Sequence, residues 1–126
     1  MGTRCLTFVH DGEDTLINMY RQFDGYPSGH GRKLAEFLSG FEIVNGYNEK
    51  KEKLANGMGC LAAQIISHFK VGVGGFYMEP VTAIDCGQDY EYHVYNNRVR
   101  VLDTYNGNEL FNGDYDQFKG FCASDE

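Results

Sequence analysis

The sequence predicts a single α+β domain over residues 1–126, with a mostly antiparallel sheet of five or six strands and two helices packed on it. Two alternating segments, 90–95 and 98–105, flank Asn96-Asn97, a dipeptide that suits a two-residue hairpin turn. Apolar residues recur at helical spacing from Leu54 to Phe69. The length of 126 residues is near the commonest size of one domain, so a second domain is not expected.

The N-terminal elements are runs of β-branched and aromatic residues separated by turn residues. Cys5 to His10 is predicted as a first strand and Thr15 to Phe23 as a second, joined by an acidic hairpin connection at 11–14. A helix follows over about Ser28 to Ser39, with apolar residues on one face and Gly40 as its stop. Antiparallel pairing would place the start of the first strand beside the end of the second.

The second half is predicted to complete the sheet around the longer helix. That helix covers Leu54 to Phe69, or begins near Met58 if the glycines around it break the pattern. Short strands are expected near 76–78 and over Thr82 to Cys86, and the tail from Asn106 is expected to pack along the sheet edge.

The predicted hairpin at 90–105 has two different faces. Pairing across its turn puts an apolar set on the core face: Tyr92, Val94, Val99 and Val101. The opposite face is polar, basic and aromatic: His93, Tyr95, Arg98 and Arg100.

The densest cluster of binding chemistry is the loop that leads from the second strand into the first helix. It is rich in glycine, which forms turns and lets a ligand approach the backbone closely. A helix start offers unpaired N–H groups and a partial positive charge, which together favour an anion. The predicted ligand-binding residues are Arg4, Tyr20, Arg21, Asp24, Gly25, Tyr26, Gly29, His30, Gly31 and Arg32.

Binding without turnover is the simplest interpretation of this loop. Arg4 and Arg21 are expected to meet beside it, and Tyr20, Tyr26 or Tyr95 could stack on a base. No carboxylate cluster of the kind that holds Mg²⁺ stands beside the loop, where Asp24 is the one acidic residue. The four histidines show no ligand spacing, so neither a metal nor a cofactor is predicted.

Composition limits the classes of partner. The net charge of −7 argues against direct binding of duplex nucleic acid, and it permits docking on a basic partner protein. The charged run 48–53 is interpreted as a solvated loop or helix start. No apolar run approaches membrane-spanning length, and the four scattered cysteines suggest reduced thiols in a cytosolic protein. The many aromatic residues would suit an interface, so a homodimer is compatible with the composition.

Two other sequence patterns indicate a function less strongly than the glycine-rich loop does. Cys60 follows Gly-Met-Gly at a helix start, and His93 and Asp103 come later on strands, which is the chain order of papain-like hydrolases. The segment from Gly57 to Ala62 matches the G-x-G-x-x-A dinucleotide pattern. No strand is predicted before it, so a dinucleotide site is not expected.

The first 40 residues resemble an uncharacterised family of small proteins of bacteria and phages, with more distant relatives in fungi. The resemblance rests on Gly2-Thr3-Arg4 before an apolar strand, on the segment from Tyr20 to Pro27, and on Gly29 and Gly31 before a helix. It implies no established activity. The phage association implies a role in host interaction, in the host cytoplasm.

The function expected from these observations is non-catalytic binding of a nucleotide-like or other phosphate-bearing ligand at the glycine-rich loop. In a phage setting, this would sequester a host immune signal. The first alternative is an acidic protein–protein inhibitor of a host defence or nucleic-acid enzyme, in the manner of anti-CRISPR proteins. The second is the cysteine hydrolase.

Overall fold

The computed structural model describes residues 2–46 and 52–124. A six-stranded sheet is built from β1 (Cys5–Asp11), β2 (Asp14–Arg21), β5 (Phe76–Glu79), β6 (Tyr90–Tyr95), β7 (Arg98–Asp103) and β8 (Asn108–Gly113). Their order across the sheet is β5-β2-β1-β6-β7-β8. The pairing of β1 with β6 is parallel, and every other neighbouring pair of this sheet is antiparallel. The predicted α+β class with a mostly antiparallel sheet is confirmed.

Within the described residues, three α-helices accompany the sheet where two were predicted: α1 (Arg32–Leu38), α2 (Gly57–Phe69) and α3 (Tyr115–Ser124). The third lies in the tail, which was expected only to pack along the sheet edge. Its start is fixed by a reciprocal cap, because Asp114 Oδ1 accepts from the Gln117 N–H at 2.8 Å and Gln117 Oε1 accepts from the Asp114 N–H at 2.9 Å. This is a capping box with aspartate as the first residue, and its D-x-x-Q spacing is visible in the sequence.

The start of α2 differs from the longer helix predicted from the apolar stripe. Leu54–Asn56 forms a short strand, β4, which pairs in parallel with β3 (Glu42–Val44). The helix begins at Gly57, whose φ of +85° suits glycine. A strand therefore does precede the G-x-G-x-x-A segment, contrary to the prediction. The dinucleotide fold is still absent among the described elements, because the next strand, β5, belongs to the other sheet.

The strand predicted over Thr82 to Cys86 is wrong. Residues 80–89 form turns, including one in which the Ala83 N–H donates to the Pro80 carbonyl at 3.0 Å. This segment lies over part of the sheet face that the helices leave open. Asn18 fastens it there, because its Nδ2 donates to the carbonyls of Pro80 at 3.1 Å and Ala83 at 3.0 Å.

The core lies between the sheet and the helices. The predicted core face of the hairpin at 90–103 is fully buried there: Tyr92, Val94, Val99 and Val101. The helices contribute Leu34, Leu38, Leu61, Ile65 and Phe118 to the same cluster. Residues 48–51, most of the predicted charged run at 48–53, lie outside the described residues.

Candidate anion-binding site

Arg21 is the strongest indication of a binding site in this structure. It is the last residue of β2, and only 8% of its surface is exposed. Its guanidinium carbon lies 4.9 Å from the centre of the Phe76 ring, and its Nη1 lies 3.3 Å from Nδ1 of His30. Alternation along β2 points this side chain to the helix side of the sheet, next to Cys5 on β1.

His30 is the main polar partner of Arg21. The residue has no exposed surface, and its Nε2 lies 2.8 Å from the Thr7 hydroxyl oxygen. Burial lowers the pKa of His30 to about 3, with smaller contributions from the positive charges of Arg21 and Lys33. The imidazole is therefore neutral at physiological pH and cannot itself attract an anion by charge.

The described groups that interact with Arg21 directly are neutral. Burial also raises the pKa of the Cys5 thiol, although the Arg21 charge lowers it slightly, so Cys5 stays protonated. No carboxylate in residues 2–46 or 52–124 forms an ion pair with Arg21. Arginine is almost never buried to this degree without an anionic partner, because removing the charge from water is costly.

The space beside the glycines of the loop is occupied by other atoms of the protein and is not open to a ligand. A Cβ on Gly25 would lie 2.8 Å from the Arg4 carbonyl carbon, and one on Gly29 would lie 2.5 Å from the Asp24 carbonyl oxygen. A Cβ on Gly31 would lie 3.1 Å from the Tyr92 ring. Close approach does explain these glycines, but the approaching atoms belong to the chain.

The backbone donors of the loop also have internal partners. The N–H of Gly29 donates to the Tyr26 carbonyl at 2.9 Å, and the N–H of His30 donates to the Asp24 carbonyl at 2.7 Å. They belong to a π-helical turn at Pro27–Gly31 that precedes α1. These residues therefore do not offer the unpaired N–H groups that were predicted at the helix start. An anion would be attracted here by the charge of the side chains.

The ten predicted ligand-binding residues separate into three places. Arg21 and His30 are in contact on the helix side of the sheet. Gly25 and Gly31 pack there against neighbouring strands and side chains. A surface pocket of about 390 Å³ holds a second set together with Ser28, Lys33 and Glu36: Asp24, Tyr26, Gly29 and Arg32. Arg4 and Tyr20 lie on the opposite side of the sheet.

The surface pocket has a mixed charge. Arg32 and Lys33 line it, but Asp24 and Glu36 do so as well. The Arg32 Nε lies 3.9 Å from the Glu36 carboxylate, and both side chains are more than half exposed. An exposed pair of this kind is screened by water and contributes little energy.

Arg4 and Arg21 do not meet, contrary to expectation. The register pairs Cys5 with Arg21, so Arg4 is displaced by one residue and faces the other side of the sheet. There its Nη1 would be 3.1 Å from a Cβ on Gly87, and its buried Nε has no hydrogen-bond partner in the part of the chain that the structure describes. Tyr20 occupies the same open face, where its hydroxyl donates to Gln22 Oε1 at 2.6 Å.

The proposed hydrolase residues are not brought together. Cys60 lies on α2, on the helix side of the sheet, and its thiol donates to Gln64 Oε1 at 3.4 Å. His93 faces the open side of the sheet, and Asp103 accepts hydrogen bonds from its own turn, including the Tyr105 N–H at 2.9 Å. A sheet separates the candidate nucleophile from its candidate base.

A polar chain on the open face of the sheet was missed by the sequence analysis. His10 Nε2 lies 2.9 Å from His93 Nδ1, and His93 Nε2 lies 3.0 Å from Glu91 Oε1. The Thr15 hydroxyl lies 3.2 Å from the remaining nitrogen, Nδ1 of His10. The hydrogen bond from His93 holds the pKa of Glu91 below its usual value. The chain can hold and pass a proton, but neither histidine lines the surface pocket described above.

Comparison of the chain with protein-family models, with curated proteins and with solved structures finds no match. Within residues 2–46 and 52–124, no helix has both the length and the apolar character needed to cross a membrane. The same residues hold no group of three or more metal-ligating side chains in a suitable arrangement.

Proposed function

We propose that this protein binds, without turnover, a small anionic ligand that is phosphate-bearing or nucleotide-like. The observation that carries the proposal is the buried guanidinium of Arg21, which has only neutral partners among the described residues. A phosphate group would supply the missing negative charge and accept two parallel N–H bonds from one edge of the guanidinium. In a phage setting the ligand would be a host immune signal, which the protein would sequester in the host cytoplasm.

The absence of catalytic geometry at Arg21 supports binding rather than reaction. The neighbours of the guanidinium are a neutral imidazole, a protonated thiol and an aromatic ring. The imidazole has its two nitrogens occupied by Thr7 and Arg21. None of these groups is placed to take a proton from a nucleophile.

The test compares three arginines of different environment. Inorganic phosphate and AMP are titrated calorimetrically into the wild type and into Arg21→Gln, Arg32→Gln and Arg98→Gln. We expect Arg21→Gln to weaken binding about tenfold to a hundredfold, because a charge-assisted hydrogen bond contributes roughly 1.5–3 kcal/mol. Arg98, an exposed residue on the far side of the sheet, is the matched control and should have no effect.

The variant Arg32→Gln decides between the two positions on the loop. A loss confined to Arg32→Gln would move the site to the surface pocket. Native mass spectrometry of protein purified from bacterial cells, before and after denaturation, would then name the class of any bound mass. If no mass is released and neither phosphate nor AMP binds, the anion-binding proposal is wrong.

The second candidate is an acidic inhibitor that docks on a host defence or nucleic-acid enzyme. It is favoured by apolar side chains that are exposed around β5: Val71, Val73, Tyr77 and Met78. Exposed apolar side chains on a protein with a net charge of −7 suit a basic protein partner. Stoichiometric capture of a host enzyme by wild type, and its loss with Tyr77→Ser, would support this candidate.

A further inference from the structure

His30 has a defined protonation pattern that follows from its two partners. A guanidinium can only donate hydrogen bonds, so the Nδ1 that faces Arg21 must be the bare, accepting nitrogen. In the neutral ring the proton is then on Nε2, which donates to the Thr7 hydroxyl oxygen at 2.8 Å. The contacts select one tautomer out of two.

From this geometry we infer that His30 is a positioning residue, which holds the guanidinium of Arg21 in a fixed orientation for an anionic ligand and does not touch the ligand itself. Its ring has no exposed surface, whereas Arg21 keeps 8% of its surface exposed, so the contact assigned to a ligand is with Arg21. The lowered pKa of His30 agrees with this role, because a neutral ring accepts from Arg21 without repelling it. The expected effect of His30 on ligand binding rests on the proposed function. The hydrogen bonds between His30, Arg21 and Thr7 do not depend on it.

The surrounding rings alone do not explain a histidine at this position. The His30 ring packs at 5.0 Å from the Phe69 ring and at 5.1 Å from the Tyr92 ring, measured between ring centres. A phenylalanine would satisfy that packing equally well. It would leave the buried guanidinium edge and the Thr7 hydroxyl without their observed partner, which is costly in a low-dielectric interior.

The turn before α1 directs His30 inward. Residues Pro27–Gly31 form a single π-helical turn, an arrangement that is rare and often found at functional sites. The His30 N–H is anchored to the Asp24 carbonyl at 2.7 Å. The backbone of this loop was predicted to bind a ligand. In the structure it places the His30 side chain against Arg21.

The first measurement needs no variant. In protein labelled with ¹⁵N, the imidazole nitrogens of His30 should show a protonated Nε2 and a bare Nδ1 at pH 7. The side-chain N–H signals of Arg21 should exchange slowly with water compared with those of Arg98. A His30 that carries its proton on Nδ1 would overturn the inference, whether or not any ligand binds.

Two half-replacements then separate positioning from packing. The Oδ1 of an asparagine occupies the place of the histidine Nδ1, whereas the amide of a glutamine reaches the place of Nε2. We expect His30→Asn to keep the slow exchange of Arg21 and to bind inorganic phosphate within about threefold of the wild type. We expect His30→Gln to lose the slow exchange and to bind phosphate about tenfold more weakly.

The exchange measurements test the role of His30 separately from the proposed binding of an anion. If phosphate binds to no form of the protein, the binding proposal fails, and the exchange rates of Arg21 still decide whether His30 orients it. Equal slow exchange in both variants, or equal loss in both, would overturn the positioning role. If either variant does not fold, Thr7→Val serves instead, since it removes the acceptor for Nε2–H with little change of shape and should speed the exchange of Arg21.

Discussion

The free energy of unfolding should fall by about 2 kcal/mol between pH 7 and pH 5 because of His30 alone. The pKa of this residue is about 3 in the folded protein and 6.5 when it is unperturbed. The unfolded chain therefore binds the proton first as the pH falls, so stability is complete above about pH 6.5 and is lost progressively toward pH 3.

Urea denaturation followed by circular dichroism at pH 7, 6 and 5 measures this effect, and the variant His30→Asn is the control. The variant lacks the titrating group. Its free energy of unfolding should therefore fall by about 2 kcal/mol less than that of the wild type between pH 7 and pH 5. His10 also has a lowered pKa, mainly from burial and partly from His93, and it remains in both proteins. Parallel curves for wild type and His30→Asn would contradict the buried, neutral histidine.

The substitution Gly25→Ala should destabilise the protein by about 3 kcal/mol, because a methyl group there has no space. The added Cβ would lie 2.8 Å from the Arg4 carbonyl carbon and 2.9 Å from both the Cys5 backbone nitrogen and its Cβ. Two hydrogen bonds hold Gly25 in place, since its N–H donates to the Thr3 carbonyl at 2.8 Å and its carbonyl accepts from the Tyr92 hydroxyl at 2.7 Å. The loop must therefore move, and those bonds move with it.

The matched control for this prediction is Gly120→Ala on α3. Apart from its chain neighbours and the backbone of its own helix, no described atom lies within 4 Å of a Cβ at Gly120, and alanine is the better helix former by about 1 kcal/mol. Thermal unfolding should place Gly25→Ala about 10 °C below the wild type and Gly120→Ala at or above it. A Gly25→Ala protein as stable as the wild type would mean that β1 and the loop are not in contact as described.

Local patterns were sufficient for much of the fold. The hairpin at 90–103 was predicted with its faces, because its period-two alternation reports burial directly and Asn97 takes the left-handed conformation, with φ of 52°. The first two strands and the stripe of α2 followed from the same kind of periodicity. The third helix was missed although its capping residues, Asp114 and Gln117, stand in the sequence, since a polar and short helix has little periodic signal.

The candidate site was predicted only in part. Arg21 and His30 were both singled out, because cationic residues in a glycine-rich loop before a helix suggest an anion. Their burial could not be read from the sequence, since it depends on which side of the sheet each residue faces. The open-face pair of His10 and His93 depends on the parallel pairing of β1 with β6, which joins residues 83 positions apart.

The sequence by itself determined the α+β class, most of the strands, and the loop in which cationic residues accompany glycines. These are local properties, carried by the alternation of side chains and by the conformations that glycine and asparagine allow. Only the tertiary structure decided that Arg21 is buried among neutral groups while Arg4 lies across the sheet. That distinction depends on a register of one residue, because neighbouring side chains of a strand face opposite sides and only packing fixes which side is the core.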